Sequence, residues 1–69
     1  MRVLLNSTNI AEVRYHPSAA LMEISFQSGH IYHYSNIPKH VFQELIQARS
    51  AGRYYNMHIR GKYSSMRWI

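Results

Sequence analysis

The sequence predicts an α+β domain: a small antiparallel three-stranded meander packed against one helix, followed by a basic C-terminal segment. Three observations carry that expectation. Met22, Ile24 and Phe26 alternate with Glu23 and Ser25, the period of a strand with one apolar face. Val41, Phe42, Leu45, Ile46 and Ala48 fall at helical spacings and form one apolar stripe. All of the excess positive charge lies after residue 34.

The elements follow in chain order. Residues 1–5 read as loose chain or a sheet edge, and Asn6 to Asn9 is a cluster of turn-formers. Ile10 to Tyr15 alternates weakly through Ile10, Val13 and Tyr15 and reads as the first strand. His16-Pro17-Ser18 is a turn in which Pro17 fixes φ. Met22 to Phe26 is the second strand and Ile31 to Ser35 the third, rich in β-branched and aromatic residues.

Between them Gln27-Ser28-Gly29 makes a three-residue hairpin loop, with Gly29 at the left-handed position of a bulged turn. That loop pairs Ile24 with Tyr32 and Met22 with Tyr34, so both tyrosines join the apolar face. A two-residue loop would slip the register by one and turn them to the other side. The helix starts near Pro38, which is at home in a first helical turn, and ends around Ser50 or Ala51, with Gly52 just past it. In Arg53 to Ile69, Tyr55, Met57 and Ile59 alternate as a strand would, and short helical turns are the other reading. Ser64 to Ile69 reads as a tail anchored by Trp68.

Composition narrows the function classes. With 69 residues there is room for one domain, 1–69, and for a thin core. Cysteine is absent, so disulfides and thiolate metal sites are excluded. No apolar run approaches the roughly 20 residues of a membrane span. With no secretory signal visible, the expected location is the cytoplasm. The net charge is +5. Residues 1–34 balance Arg2 and Arg14 against Glu12 and Glu23. Residues 35–69 hold Lys39, Arg49, Arg53, Arg60, Lys62 and Arg67 against Glu44 alone. That asymmetry points to an anionic partner, with a plain solubility charge as the bland alternative.

Catalysis is not expected. The three glutamates sit on separate elements, no acid partner for a histidine is evident, and no glycine-rich phosphate loop is present. No cofactor motif is present either. His30 and His33, the nearest histidine pair, point to opposite faces of one strand, so no metal site is expected. Tyr32 and Tyr34 are either core residues with hydroxyls at the rim or a base-stacking pair. The register favours the core. The candidate binding segment runs from Arg49 to Arg67, with Arg49, Arg53, His58, Arg60, Lys62 and Tyr63 as its nucleic-acid contacts. Its bland alternative is a solvated segment whose aromatic rings close the core.

The ordered series Tyr15-x-Pro17, Met22-x-Ile24-x-Phe26, Gly29, Tyr32-x-Tyr34, Ile37-Pro38, Ser50-x-Gly52, Tyr55-Asn56, Ile59-Arg60 and Tyr63 resembles the KTSC domain, over about residues 7–63. That family is named for a C-terminal extension of some lysyl-tRNA synthetases and includes stand-alone bacterial and phage proteins. Its central Tyr-x-Tyr motif corresponds to Tyr32 and Tyr34. His16 stands where the family often has an acid, and Met22 where leucine is usual. The resemblance implies an RNA-binding role and supplies no catalytic residues. The expected function is thus a small non-catalytic module for RNA or single-stranded nucleic acid. The alternative is a protein-interaction module, a phage or prophage factor docking an acidic host surface. Self-association through open sheet edges is compatible with both.

Overall fold

Gly29 decides the register of the central hairpin. Its φ is +98°, a conformation L side chains rarely adopt, and its N–H donates to the Phe26 carbonyl at 2.9 Å. The Phe26 N–H in turn donates to the His30 carbonyl at 2.9 Å, closing the three-residue loop. In the computed structural model, which describes all 69 residues, strand β3 (Leu21–Phe26) and strand β4 (Ile31–Tyr34) pair Ile24 with Tyr32 and Met22 with Tyr34. The predicted register holds.

The sheet is larger than a three-stranded meander. Strand β1 (Arg2–Leu4) pairs with β2 (Ile10–His16) at one edge, and β5 (Ser65–Arg67) pairs with β4 at the other. The result is one antiparallel five-stranded sheet in the order β1-β2-β3-β4-β5. The chain's first amine donates to the Tyr15 carbonyl at 2.8 Å, and the Tyr15 N–H donates to the Met1 carbonyl, so the first residues form an edge. The last six residues are likewise tied down: β5 reaches across Tyr32, His33 and Tyr34, and the Trp68 N–H donates to the Ile31 carbonyl at 2.8 Å.

There are two helices where one was expected. Helix α1 (Lys39–Gln47) starts after Pro38 as predicted but stops three residues early, at an extended Ala48. Ser50 does not end α1; it caps α2 (Ala51–His58), its hydroxyl accepting the Arg53 N–H at 3.2 Å. Gly52 lies in the first turn of α2 beside Asn9 rather than past a C-cap. Gly61, with φ +73°, is the glycine that follows a helix. Tyr55 and Ile59 are buried four residues apart on α2, while Met57 between them is 55% exposed, so the segment has the helical period and not the strand period.

Both helices lie on the sheet face that carries Val13, Tyr15, Met22, Ile24 and Tyr34. With Ile10, Ile37, Val41, Phe42, Leu45, Ala51, Tyr55 and Ile59 these make a single core containing no buried charged residue. Tyr15 stacks on Phe42 at 4.8 Å and donates to the Ile37 carbonyl at 2.6 Å, so its hydroxyl is satisfied inside the core. The opposite sheet face is uncovered. It carries Glu12, Arg14, His16, Glu23 and His33, with Trp68 against His33 at 5.1 Å. No helix is long and apolar enough to cross a membrane.

Candidate functional site

Four segments distant in sequence meet where β4 runs past the C-terminal end of α2. The hairpin supplies Phe26, Ser28, His30, Tyr32 and Tyr34; α2 and its exit supply Tyr55, Asn56, Arg60 and Gly61; Asn9 and Ser65 complete the rim. They enclose an open cleft of about 460 Å³, within the size range of small-molecule sites. Four of its residues are aromatic and none is acidic.

The sheet pleat positions the floor. Tyr32 and Tyr34 are two apart on β4, so both rings face α2, with centroids 6.3 Å apart. Tyr34 is 2% exposed; Tyr32 is half-buried and keeps part of its ring in the cleft. Phe26 stands edge-on to Tyr32 at 5.9 Å and to Tyr55 at 5.3 Å. The Tyr34 and Tyr55 hydroxyls bond each other. Burial first, and then that bond, push the Tyr34 phenol well above its ordinary pKa, while the nearby positive charge of Arg60 pulls it the other way. The neutral phenol is therefore the form present.

The six predicted contacts do not converge on one point. Arg60 lines the cleft. Arg49 lies at the other end of α2, in a separate groove with Leu5, Ile46 and Ser50. Arg53 and Lys62 are exposed, His58 sits against the Tyr54 ring at 4.5 Å, and Tyr63 packs half-buried on the core. His30 lines the cleft while His33 faces Glu23 on the far side of the sheet, as their odd spacing requires. Sequence reasoning did not single out as contacts Phe26, Tyr55 (held only as one of the rings interleaved in the Arg49 to Arg67 segment), Asn56 or Asn9. A signal for the first three was present: Phe26, Tyr32-x-Tyr34, Tyr55-Asn56 and Arg60 all belong to the ordered series that carries the family resemblance, and all line this cleft.

The glutamates are all engaged. Glu12 takes Arg14 Nε at 2.7 Å and an Arg2 guanidinium nitrogen at 3.0 Å, and the hydrogen bonds from Arg14 and then Arg2 hold its carboxyl below the usual range. Glu23 meets His16 Nε2 at 2.7 Å and lies 3.3 Å from His33 Nε2, the latter without hydrogen-bond geometry. Glu44 accepts the Tyr54 hydroxyl at 2.7 Å; burial, and then this bond, push that phenol up to about 12. No glutamate comes within 4.0 Å of Lys39, Arg49, Arg53, Arg60, Lys62 or Arg67.

A five-stranded sheet covered on one face by a helix pair, with an open aromatic cleft at their junction, defines a small α+β domain. The chain belongs to the KTSC domain family, whose model matches residues 6–63. An uncharacterised protein of Stutzerimonas stutzeri is 38% identical over 55 residues, 80% of this chain and 78% of that protein. A lysine–tRNA ligase of Trichormus variabilis is 37% identical over 54 residues, 78% of this chain but only 10% of the ligase. The crystal structure of a KTSC domain protein from Yersinia pestis superimposes with a TM-score of 0.95 at 28% identity, covering 100% of this chain and 97% of that one. The match to the ligase spans a tenth of its length, so the ligase activity is not carried over to this chain.

Proposed function

We propose that this domain is a non-catalytic binding module for single-stranded nucleic acid, RNA above DNA. The observation that supports it most is the acid-free aromatic cleft with Arg60 at its rim, on the half of the chain whose six cations have no glutamate partner. Aromatic rings accept bases by stacking, and unpaired arginine and lysine hold phosphates. Arg53 and Lys62 extend the positive surface along α2 and its exit, with Arg49 beyond its other end and the His58 ring beside Tyr54 as a further polar contact. Relatives of this segment inside lysine–tRNA ligases agree with an RNA partner.

Fluorescence anisotropy with a labelled single-stranded RNA, at low and moderate salt, tests the proposal. Affinity falls steeply with salt as counterions are released. Arg60→Ala/Lys62→Ala weakens binding and lowers the slope of log K against log salt by about 1.4, at about 0.7 per phosphate contact on a single strand. Absence of binding at low salt overturns the reading.

A second reading has its own observation: Met66, Trp68 and Ile69 are 71%, 62% and 58% exposed along one edge, a surface suited to a protein. Capture from lysate with and without nuclease separates the two. A partner lost with nuclease supports nucleic acid, and one that persists supports protein.

A further inference from the structure

Two hydroxyl groups bonded to each other use only one of their two protons. Tyr34 and Tyr55 form such a pair at the floor of the cleft, and neither hydroxyl bonds to any other group of the protein. Whichever oxygen accepts, its own O–H is left without a partner. Both residues are largely buried, at 2% and 9% exposed, and both line the cleft. Arg60 borders the same cleft with its guanidinium free of any glutamate, close enough for its charge to act on Tyr34.

We propose that the free O–H of the tyrosine pair and the Arg60 guanidinium form an oxyanion subsite that takes one phosphate of a bound nucleotide. This rests on the nucleic-acid reading above and gives it a specific point of contact. A phosphate supplies oxygens for both donors at once, and a charge-assisted bond to a guanidinium is among the stronger hydrogen bonds. No acid lines the cleft to repel it. Carboxylates offer the same oxygens, but the flanking rings of Phe26 and Tyr32 favour an anion that carries a planar base. Because either tyrosine can supply the donor, the pair is redundant: one hydroxyl suffices.

The test is an NMR titration of the full chain with adenosine 5′-monophosphate, adenosine and acetate, with melts to establish that each variant is folded. The monophosphate is expected to bind about tenfold or more tighter than adenosine, the worth of a hydrogen bond to a charged group. Tyr55→Phe alone retains most of this preference, whereas Tyr34→Phe/Tyr55→Phe loses it. A purely structural role for the pair would not produce that non-additive pattern. Arg60→Ala, at an exposed position, loses the preference as well and stands as the test if the double variant fails to fold.

Equal affinity for monophosphate and adenosine overturns the subsite. So does a folded double variant with the wild-type preference. Acetate competing as well as the monophosphate replaces the phosphate assignment with a carboxylate one. RNA binding at wild-type strength in the folded double variant removes the subsite and leaves the nucleic-acid reading standing. Monophosphate preference without RNA binding does the reverse.

Discussion

The two halves of this chain handle charge in opposite ways. In residues 1–34 every arginine pairs: Arg2 and Arg14 share Glu12, while Glu23 stands between His16 and His33. In residues 35–69 the single glutamate is turned toward Tyr54, and six lysines and arginines have no acid beside them. Ion pairs on an exposed face contribute little to stability. Cations without an acidic partner contribute no such pairing, and their repulsion opposes compaction. The first half thus neutralises its charge within the fold, and the second leaves its charge without an acidic partner.

The largest expected effect tests where the shared border lies. Tyr34 belongs to the core and Tyr32 to the cleft, although they are two residues apart on one face. Tyr34→Ala should cost about 3 to 5 kcal/mol. A domain of this size has little more than that to lose, so the variant should be largely unfolded at room temperature. Tyr32→Ala removes a half-buried ring and should cost clearly less, while weakening RNA binding by about 1 to 3 kcal/mol. Thermal melts by circular dichroism, beside anisotropy titrations, separate the two. Equal destabilisation would place Tyr32 in the core and remove it from the site.

Next comes the contrast of charge itself. Arg2→Ala/Arg14→Ala and Arg60→Ala/Lys62→Ala each delete two cations and change net charge equally. Only the second pair should alter RNA affinity and its salt slope by more than a small amount. Equal losses would mean that net charge alone, and not the cleft side, attracts the ligand.

How much of this was legible in the sequence differs along the same divide. The central hairpin was readable because its face alternates cleanly and Gly29 favours the three-residue loop over the two-residue one. Strand β1 was legible only as one of two readings, loose chain or edge, because three residues are too few to establish a period; β5 was read as a tail because it is exposed throughout. The region after α1 was misread for a different reason. Ser50 and Gly52 look like the end of a helix, and Ser50 begins one. The burial of Tyr55 and Ile59, four apart, is a helical signal that the alternation Tyr55, Met57, Ile59 concealed. The cleft needed the fold: its walls come from loop, hairpin, helix exit and β5, and no local pattern joins them.

That misreading yields a stability test of intermediate size. If Ser50 caps α2, Ser50→Ala should cost about 1 kcal/mol, and Ser50→Asp should restore most of it. A denaturant titration measures both. An unchanged midpoint for Ser50→Ala would mean that α2 is held by packing of Tyr55 and Ile59 alone.

The smallest effect concerns the paired half and is read from pH. Glu12 is held below its ordinary range by Arg14 and then Arg2 in the folded chain. A carboxyl whose folded pKa is depressed stabilises the fold above its unfolded pKa, about 4.3, and that contribution is lost as pH falls through the lower folded value. Both arginines are more than half exposed, so solvent and salt screen the pair strongly. Glu12→Gln should therefore lower Tm at pH 7 by roughly 1 to 4 °C, with the gap to wild type closing below about pH 4. High salt should shrink the gap at pH 7 in the same way. A gap that persists at low pH would assign the effect of Glu12 to packing at the bulge between Ile10 and Glu12 rather than to charge. The paired half of the molecule would then owe its order to the sheet and not to its ion pairs.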